Sequence, residues 1–162
     1  MITKERLMEA QLEGPKLCVD LSMTDCMSHK EISRLACQIR RLYGSNRKAV
    51  RPFHLVLTDM REDSLLYQEC LRMNDGFLGY VKMSYLKARV SGVRTARLPI
   101  DEFMVKKNNP KNFHSKILAI NQVFDILLMF CDTGSWTQAL GVGVPPGKGY
   151  MITQESAVET QR

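Results

Sequence analysis

The sequence predicts an α/β fold, a parallel sheet with flanking helices, and three observations predict it. Leu17-Cys18-Val19-Asp20-Leu21 is a short apolar run with an acid near its end. A strong helix start follows at Ser28, leading into a stretch with apolar residues at helical spacing. Phe53 to Leu57 is a second short apolar run. A strand, a long helix and a second strand in that order form the building block of a parallel sheet, because parallel neighbours need a crossover between them.

Taken in order, residues 1–13 read as an amphipathic helix or a frayed arm, ended by Gly14-Pro15. After the first strand, Ser28 and Glu31 have the spacing of a capping box, in which each side chain satisfies a backbone N–H of the other. Ile32, Leu35, Ala36, Ile39, Leu42 and Tyr43 then form one buried stripe, and Gly44-Ser45-Asn46 is expected to stop the helix. Ser64 to Met73 reads as a second helix, ended by Asn74-Asp75-Gly76. Phe77, Leu78, Tyr80 and Val81 could begin a strand, yet Lys82 to Arg89 reads as the middle of a helix that has no start. No turn separates them, so this is the least self-consistent region of the chain. Thr95 to Ile100 looks like a strand end turning into a loop, and the polar residues 105–112 suit a loop. His114 to Cys131 is the most apolar helix and is expected to be buried. Ser135 would cap a last short helix through Leu140, and Val144 to Tyr150 forms a stiff connection.

At 162 residues and 44% hydrophobic content the chain can bury one real core and is short for two comfortable ones. Its formal charge of +6 points to an acidic partner, with nucleic acid first. The charge is concentrated. Lys30, Arg34, Arg40, Arg41, Arg47, Lys48 and Arg51 face Glu31 alone between Ser28 and Pro52. A second basic run, Lys82, Lys87, Arg89, Arg94 and Arg97, contains no acid. The five cysteines are odd in number, form no Cys-x-x-Cys pair, and follow no secretory signal, so reduced thiols in the nucleus or cytoplasm are expected. No apolar run approaches a membrane span, and His29, His54 and His114 have no ligand spacing with the cysteines, so neither membrane nor metal is expected. Gly147-Lys148-Gly149 does not meet the phosphate-loop spacing, and the patterns of dinucleotide-binding and serine-hydrolase turns are absent.

Three stretches, in this order, resemble one family. They are Leu17 to Ser22 continuing through Ile39 to Ala49, Thr95 to Phe103, and Leu118 to Leu127 followed by Trp136 and Gly147-Lys148-Gly149. The family comprises the SPOUT-superfamily tRNA methyltransferases that modify N1 of the purine at position nine. The details look most like its second, non-mitochondrial vertebrate paralogue. The resemblance implies a SPOUT-like parallel sheet with a C-terminal trefoil knot, S-adenosylmethionine as cofactor and tRNA as partner, on a chain expected to be monomeric. It implies a flanking arm over residues 1–16, a methyltransferase domain over 17–151 and a disordered tail over 152–162. Cofactor contacts are implied at Ser84, Leu98, Lys116, Ile117 and Leu118, although ordinary core is the plain reading of the three apolar ones. RNA contacts are implied at Gln38, Arg41, Arg47 and Lys48.

One departure matters. The family's proposed base is the aspartate of a Gly-Gly-apolar-Val-Asp strand end, and this chain holds no Gly-Gly pair. Guanine N1 carries a proton and is a poor nucleophile until a base removes it. The missing segment belongs between Val81 and Lys82, where the local reading fails, which implies an internal deletion such as alternative splicing produces. The knot region is then expected to be incomplete. Asp20 and Asp101 remain, with nothing to transfer the base role to them. The expected function is that of the N1-methylguanine-forming enzyme, with catalysis by this chain itself not expected; the alternative is a non-catalytic tRNA-binding remnant.

Overall fold

The structure is a computed structural model that describes residues 3–73, 76, 82–84 and 96–153. The chain divides into two compact units, Met1–Thr95 and Ala96–Arg162. In the first, α1 (Thr3–Glu13) precedes β1 (Lys16–Asp20), α2 (His29–Lys48), β2 (His54–Thr58), α3 (Leu65–Arg72) and β3 (Lys82–Ser84). The three strands form one parallel sheet in the order β1-β2-β3, with Cys18 opposite Val56 and Val56 opposite Lys82. All five residues of β2 are buried, as the central strand of a parallel sheet requires, whereas β1 is half-buried at the edge.

Local chemistry places the helices. Gly14 ends α1 by donating its N–H to the Ala10 carbonyl at 2.9 Å, and a Cβ there would strike that same carbonyl. The Ser28–Glu31 capping box forms, with the Ser28 N–H donating to the Glu31 carboxylate at 2.7 Å and the Glu31 N–H to the Ser28 hydroxyl at 3.3 Å. Ile32, Leu35, Ala36, Ile39, Leu42 and Tyr43 form the buried stripe of α2. The helix does not stop at Gly44-Ser45-Asn46, however, but runs on to Lys48. Asn46 is turned inward, where its amide satisfies the backbone of Phe53, so a residue that usually competes with a helix here extends one. Ser64 caps α3 through the Tyr67 N–H, and Gly76 has a positive φ.

The weakest stretch of the sequence receives a different structure from its local reading. Lys82–Ser84 is not helical but a strand that extends the sheet beside β2. Sheet pairing overrides helix propensity over so short a run. The remaining positions of that reading, 77–81 and 85–95, lie outside the described residues, as do the terminal residues 154–162 expected to be disordered.

In the second unit, residues 96–99 lead into α4 (Ile100–Phe103) and β4 (Met104–Lys106), then α5 (Ile120–Thr133), α6 (Trp136–Gly143) and β5 (Tyr150–Ile152). β4 and β5 pair antiparallel, with Val105 opposite Met151. Two readings are thereby corrected: Val105 and Lys106 belong to a strand rather than to a loop, and Ile152 is the last sheet residue rather than the first of a tail. A core of Ile100, Met104, Ile126, Ala139, Leu140 and Val144 is closed over by Trp136, which stacks on Phe130 with ring centres 3.8 Å apart. Ser135 caps α6 as expected, its hydroxyl accepting the Gln138 N–H. The apolar helix begins at Ile120, six residues later than its composition suggests. Residues before it are engaged elsewhere: the Ser115 N–H donates to the Lys148 carbonyl, the Ile117 N–H to the Ser115 hydroxyl, and Gln122 accepts the Ala119 N–H at the new start. Nor is α5 buried all round; Phe124 and Ile126 are buried, and its last turn is exposed.

Candidate functional site

The helix α2 carries a sorted surface. Its apolar stripe and Asn46 are buried, which fixes the opposite side towards solvent. Lys30, Arg34, Arg41 and Lys48 are spaced four, seven and seven residues apart and fall on that outer side as one exposed stripe. Gln38 lies beside the stripe and is half-buried. Of the four expected RNA contacts, the helix therefore gathers Gln38, Arg41 and Lys48, while Arg47 is exposed but turned to the flank with Arg40. Glu31 is the one acid on this helix and is engaged in the cap, so it does not neutralise the stripe beyond Arg34.

Four of the five expected cofactor contacts fall in the second unit. Leu98 and Leu118 are half-buried and pack against the core cluster. Lys116 binds Asp101 with Nζ and Oδ1 2.5 Å apart, which ties the segment before α5 to the start of α4. The hydrogen bond to Asp101 holds the Lys116 ammonium above its ordinary value. Ile117 is 80% exposed. Ordinary core, the plain reading of this residue, is thus wrong for Ile117, and it fits Leu98 and Leu118 only in part. Asn121, one residue into α5, has a buried side-chain oxygen with no hydrogen-bond partner among the described residues. Ser84 lies in the first unit, at the carboxyl end of β3, in register with Thr58 and so in one row with Asp20. Asp20 accepts the Ser22 N–H at 3.0 Å, the work of a turn-forming acid.

Sequence reasoning does not find the Lys116–Asp101 pair. The partners are fifteen positions apart, one in the four-residue helix α4 and one in the irregular segment before α5, and no periodicity connects them. Among the described residues no group of three or more His, Cys, Asp or Glu could hold a metal ion, and no helix is long and apolar enough to cross a membrane.

The family model of the tRNA (guanine(9)-N(1))-methyltransferases TRM10/TRM10A matches residues 2–83 and 78–149. The chain belongs to this family. It is 52% identical to tRNA methyltransferase 10 homolog B of Danio rerio over 205 aligned positions, covering 96% of this chain and 66% of that protein. To homolog A of Rattus norvegicus it is 28% identical, over 83% of this chain and 52% of that protein. The expectation of likeness to the second paralogue therefore holds. The crystal structure of full-length spTrm10 with SAH superposes with a TM-score of 0.64 at 21% identity, over 80% of this chain and 94% of that one. The SPOUT-type α/β fold follows. The chain spans about two thirds of the length of the homolog B protein. Within the match, 205 aligned positions take up 96% of 162 residues, so about fifty have no counterpart in this chain.

Proposed function

We propose that this chain is a tRNA-binding form of the TRM10-family enzyme whose complete relatives transfer a methyl group from S-adenosylmethionine to guanine N1 at position nine, and that this form itself does not catalyse the transfer. The observation that carries the binding half is the exposed stripe Lys30, Arg34, Arg41 and Lys48 on α2. Such a stripe meets phosphates at helical spacing and positions an RNA without reading its sequence.

The cofactor half is partial. Ile117 in solvent, the half-buried Leu98 and Leu118, and the Asn121 oxygen, which has no hydrogen-bond partner among the described residues, suit the flat, polar-edged face of an adenosine. When bound, S-adenosylmethionine supplies an electrophilic methyl group. The residues of this chain would hold its nucleoside end, with Lys116 kept in place by Asp101.

Relief of the guanine N1 proton is what the chain lacks. No Gly-Gly-apolar-Val-Asp segment is present, and Asp20 and Asp101 are engaged in a turn and an ion pair. The family match in two stretches that meet at 78–83, and the roughly fifty unmatched positions, support an internal shortening at that point. An incomplete knot region is the consequence.

The test is a pair of measurements on this chain: binding of an unmodified tRNA and methyl incorporation from labelled S-adenosylmethionine. Binding without incorporation is expected, with incorporation restored when the missing segment is inserted between Val81 and Lys82. Methyl transfer by the chain as it stands would overturn the catalytic half, and failure to bind tRNA the other.

A further inference from the structure

We propose a second RNA-contact site, separate from the α2 stripe, in the cleft between residues 107–113 and 146–149, where Phe113 stacks on an unpaired base and Lys107 and Lys111 take the flanking phosphates. It rests on the tRNA-binding reading above. The cleft has a volume of about 680 Å³, within the range that holds a nucleotide-sized ligand, and Asn109, Gly147 and Gly149 complete its walls. Its floor is rigid. The Asn109 amide donates to the Phe113 carbonyl at 2.9 Å and accepts the Phe113 N–H at 3.0 Å. The Lys107 N–H donates to the Gly149 carbonyl at 2.8 Å, and His114 Nε2 lies 3.0 Å from the Lys107 carbonyl. Gly149 has a φ of 81°, and any side chain there would run into the Phe113 carbonyl. These contacts present Phe113, a residue that is 51% exposed.

The charge around that ring is of one sign. From Phe103 to Phe124 the chain has four lysines and no carboxylate. Lys116 is paired with Asp101, while Lys107 and Lys111 line the cleft with no carboxylate partner among the described residues. An aromatic face flanked by cations is the recurrent device for single-stranded nucleic acid, because every base has a π-face and every nucleotide a phosphate.

Binding of the full chain to an unmodified tRNA tests this across a salt series, with Arg41→Ala as the reference variant. Phe113→Ala is expected to weaken binding roughly tenfold with little change in salt slope. The double variant Lys107→Ala/Lys111→Ala is expected to weaken binding and to lower the slope by about 1.4. Phe113→Trp guards against misfolding: it should bind as the unaltered chain does and show indole fluorescence quenched by tRNA beyond any change from Trp136. If these variants bind like the unaltered chain while Arg41→Ala is impaired, the cleft is not an RNA site and the α2 reading survives. If the unaltered chain does not bind tRNA, both fall. Selective loss of polyglutamate binding in Phe113→Ala, with tRNA binding intact, would overturn the proposal in favour of an acidic protein partner.

Discussion

The buried side chain of Asn46 holds the backbone of Phe53 at both ends, its amide nitrogen donating to the Phe53 carbonyl at 2.9 Å and its oxygen accepting the Phe53 N–H at 2.8 Å. The last turn of α2 is thereby joined to the entry of β2, and the basic stripe is fixed on the sheet that carries it. Replacing Asn46 by Ala removes both hydrogen bonds that its side chain makes to the Phe53 backbone. Each buried hydrogen bond lost in this way costs about 1–3 kcal/mol, so a destabilisation of about 2–6 kcal/mol is expected. Urea unfolding followed by far-ultraviolet dichroism measures it. Asn46→Asp should also destabilise, because it keeps the acceptor and loses the donor. A change of a few tenths of a kcal/mol in Asn46→Ala would mean that water replaces the amide.

This pair also marks where sequence reading stops. Ser28, Ser64 and Ser135 are legible as helix starts because a cap is a signal contained within four residues. The parallel strand–helix–strand unit is legible for the same reason, as alternation of period within one stretch. Asn46 reads as a stop because its partner, Phe53, is fixed by the tertiary fold. Composition misplaces the start of α5 because Ser115 and Lys107 give their N–H groups to Lys148 and Gly149, more than thirty residues away. Lys82–Ser84 takes its strand form from Val56 to Thr58, not from its own residues. Of the candidate site, the basic stripe of α2 is visible from helical spacing alone. The exposure of Ile117 is not, since its apolar character and its place before a long apolar helix both argue for burial.

The stripe itself makes a sharp prediction. Arg41 sits near its middle and is exposed, so Arg41→Ala should leave the fold unchanged. It should weaken tRNA binding and lower the slope of log affinity against log salt by about 1, as expected when a single phosphate is no longer neutralised by the protein. Arg47→Ala, on the flank, should have the smaller effect. Filter binding at several salt concentrations separates the two. Equal slopes for the unaltered chain and Arg41→Ala would remove the stripe from the interface.

Acid should loosen the start of α2. The Ser28 N–H, donating to the Glu31 carboxylate, holds that group below its ordinary value near 4.5; the Ser28 hydroxyl acts in the same direction, desolvation opposes both, and the Arg34 charge adds a smaller lowering. A carboxyl lowered by folding contributes stability that is present above its unfolded pKa and is lost as pH falls through its folded one. Stability in urea should therefore drop from about pH 5 downward. Glu69, lowered chiefly by its hydrogen bond from Arg72, adds to the same loss. Glu31→Gln can still accept the Ser28 N–H through its amide oxygen but cannot titrate, so its acid loss should be smaller. Identical pH profiles for the two proteins would show that the cap carries no linked proton.

Ile117 separates a ligand-facing residue from a merely exposed one. Its side chain is 80% exposed, its N–H is held by Ser115, and Lys116 beside it is anchored to Asp101. A charge placed there should cost the free chain little, because the side chain lies in solvent. Against a bound nucleoside the same charge must be desolvated without a partner, which is unfavourable by several-fold to a hundredfold in affinity, roughly. Ile117→Asp is therefore expected to keep the thermal transition of the unaltered chain and to lose about tenfold or more in affinity for S-adenosylhomocysteine, read by titration calorimetry. Leu118→Asp should instead lower the transition as well, because Leu118 packs on the core. Equal affinity in Ile117→Asp and the unaltered chain, or no binding by either, would take Ile117 out of the cofactor site and leave its exposure a property of the loop alone.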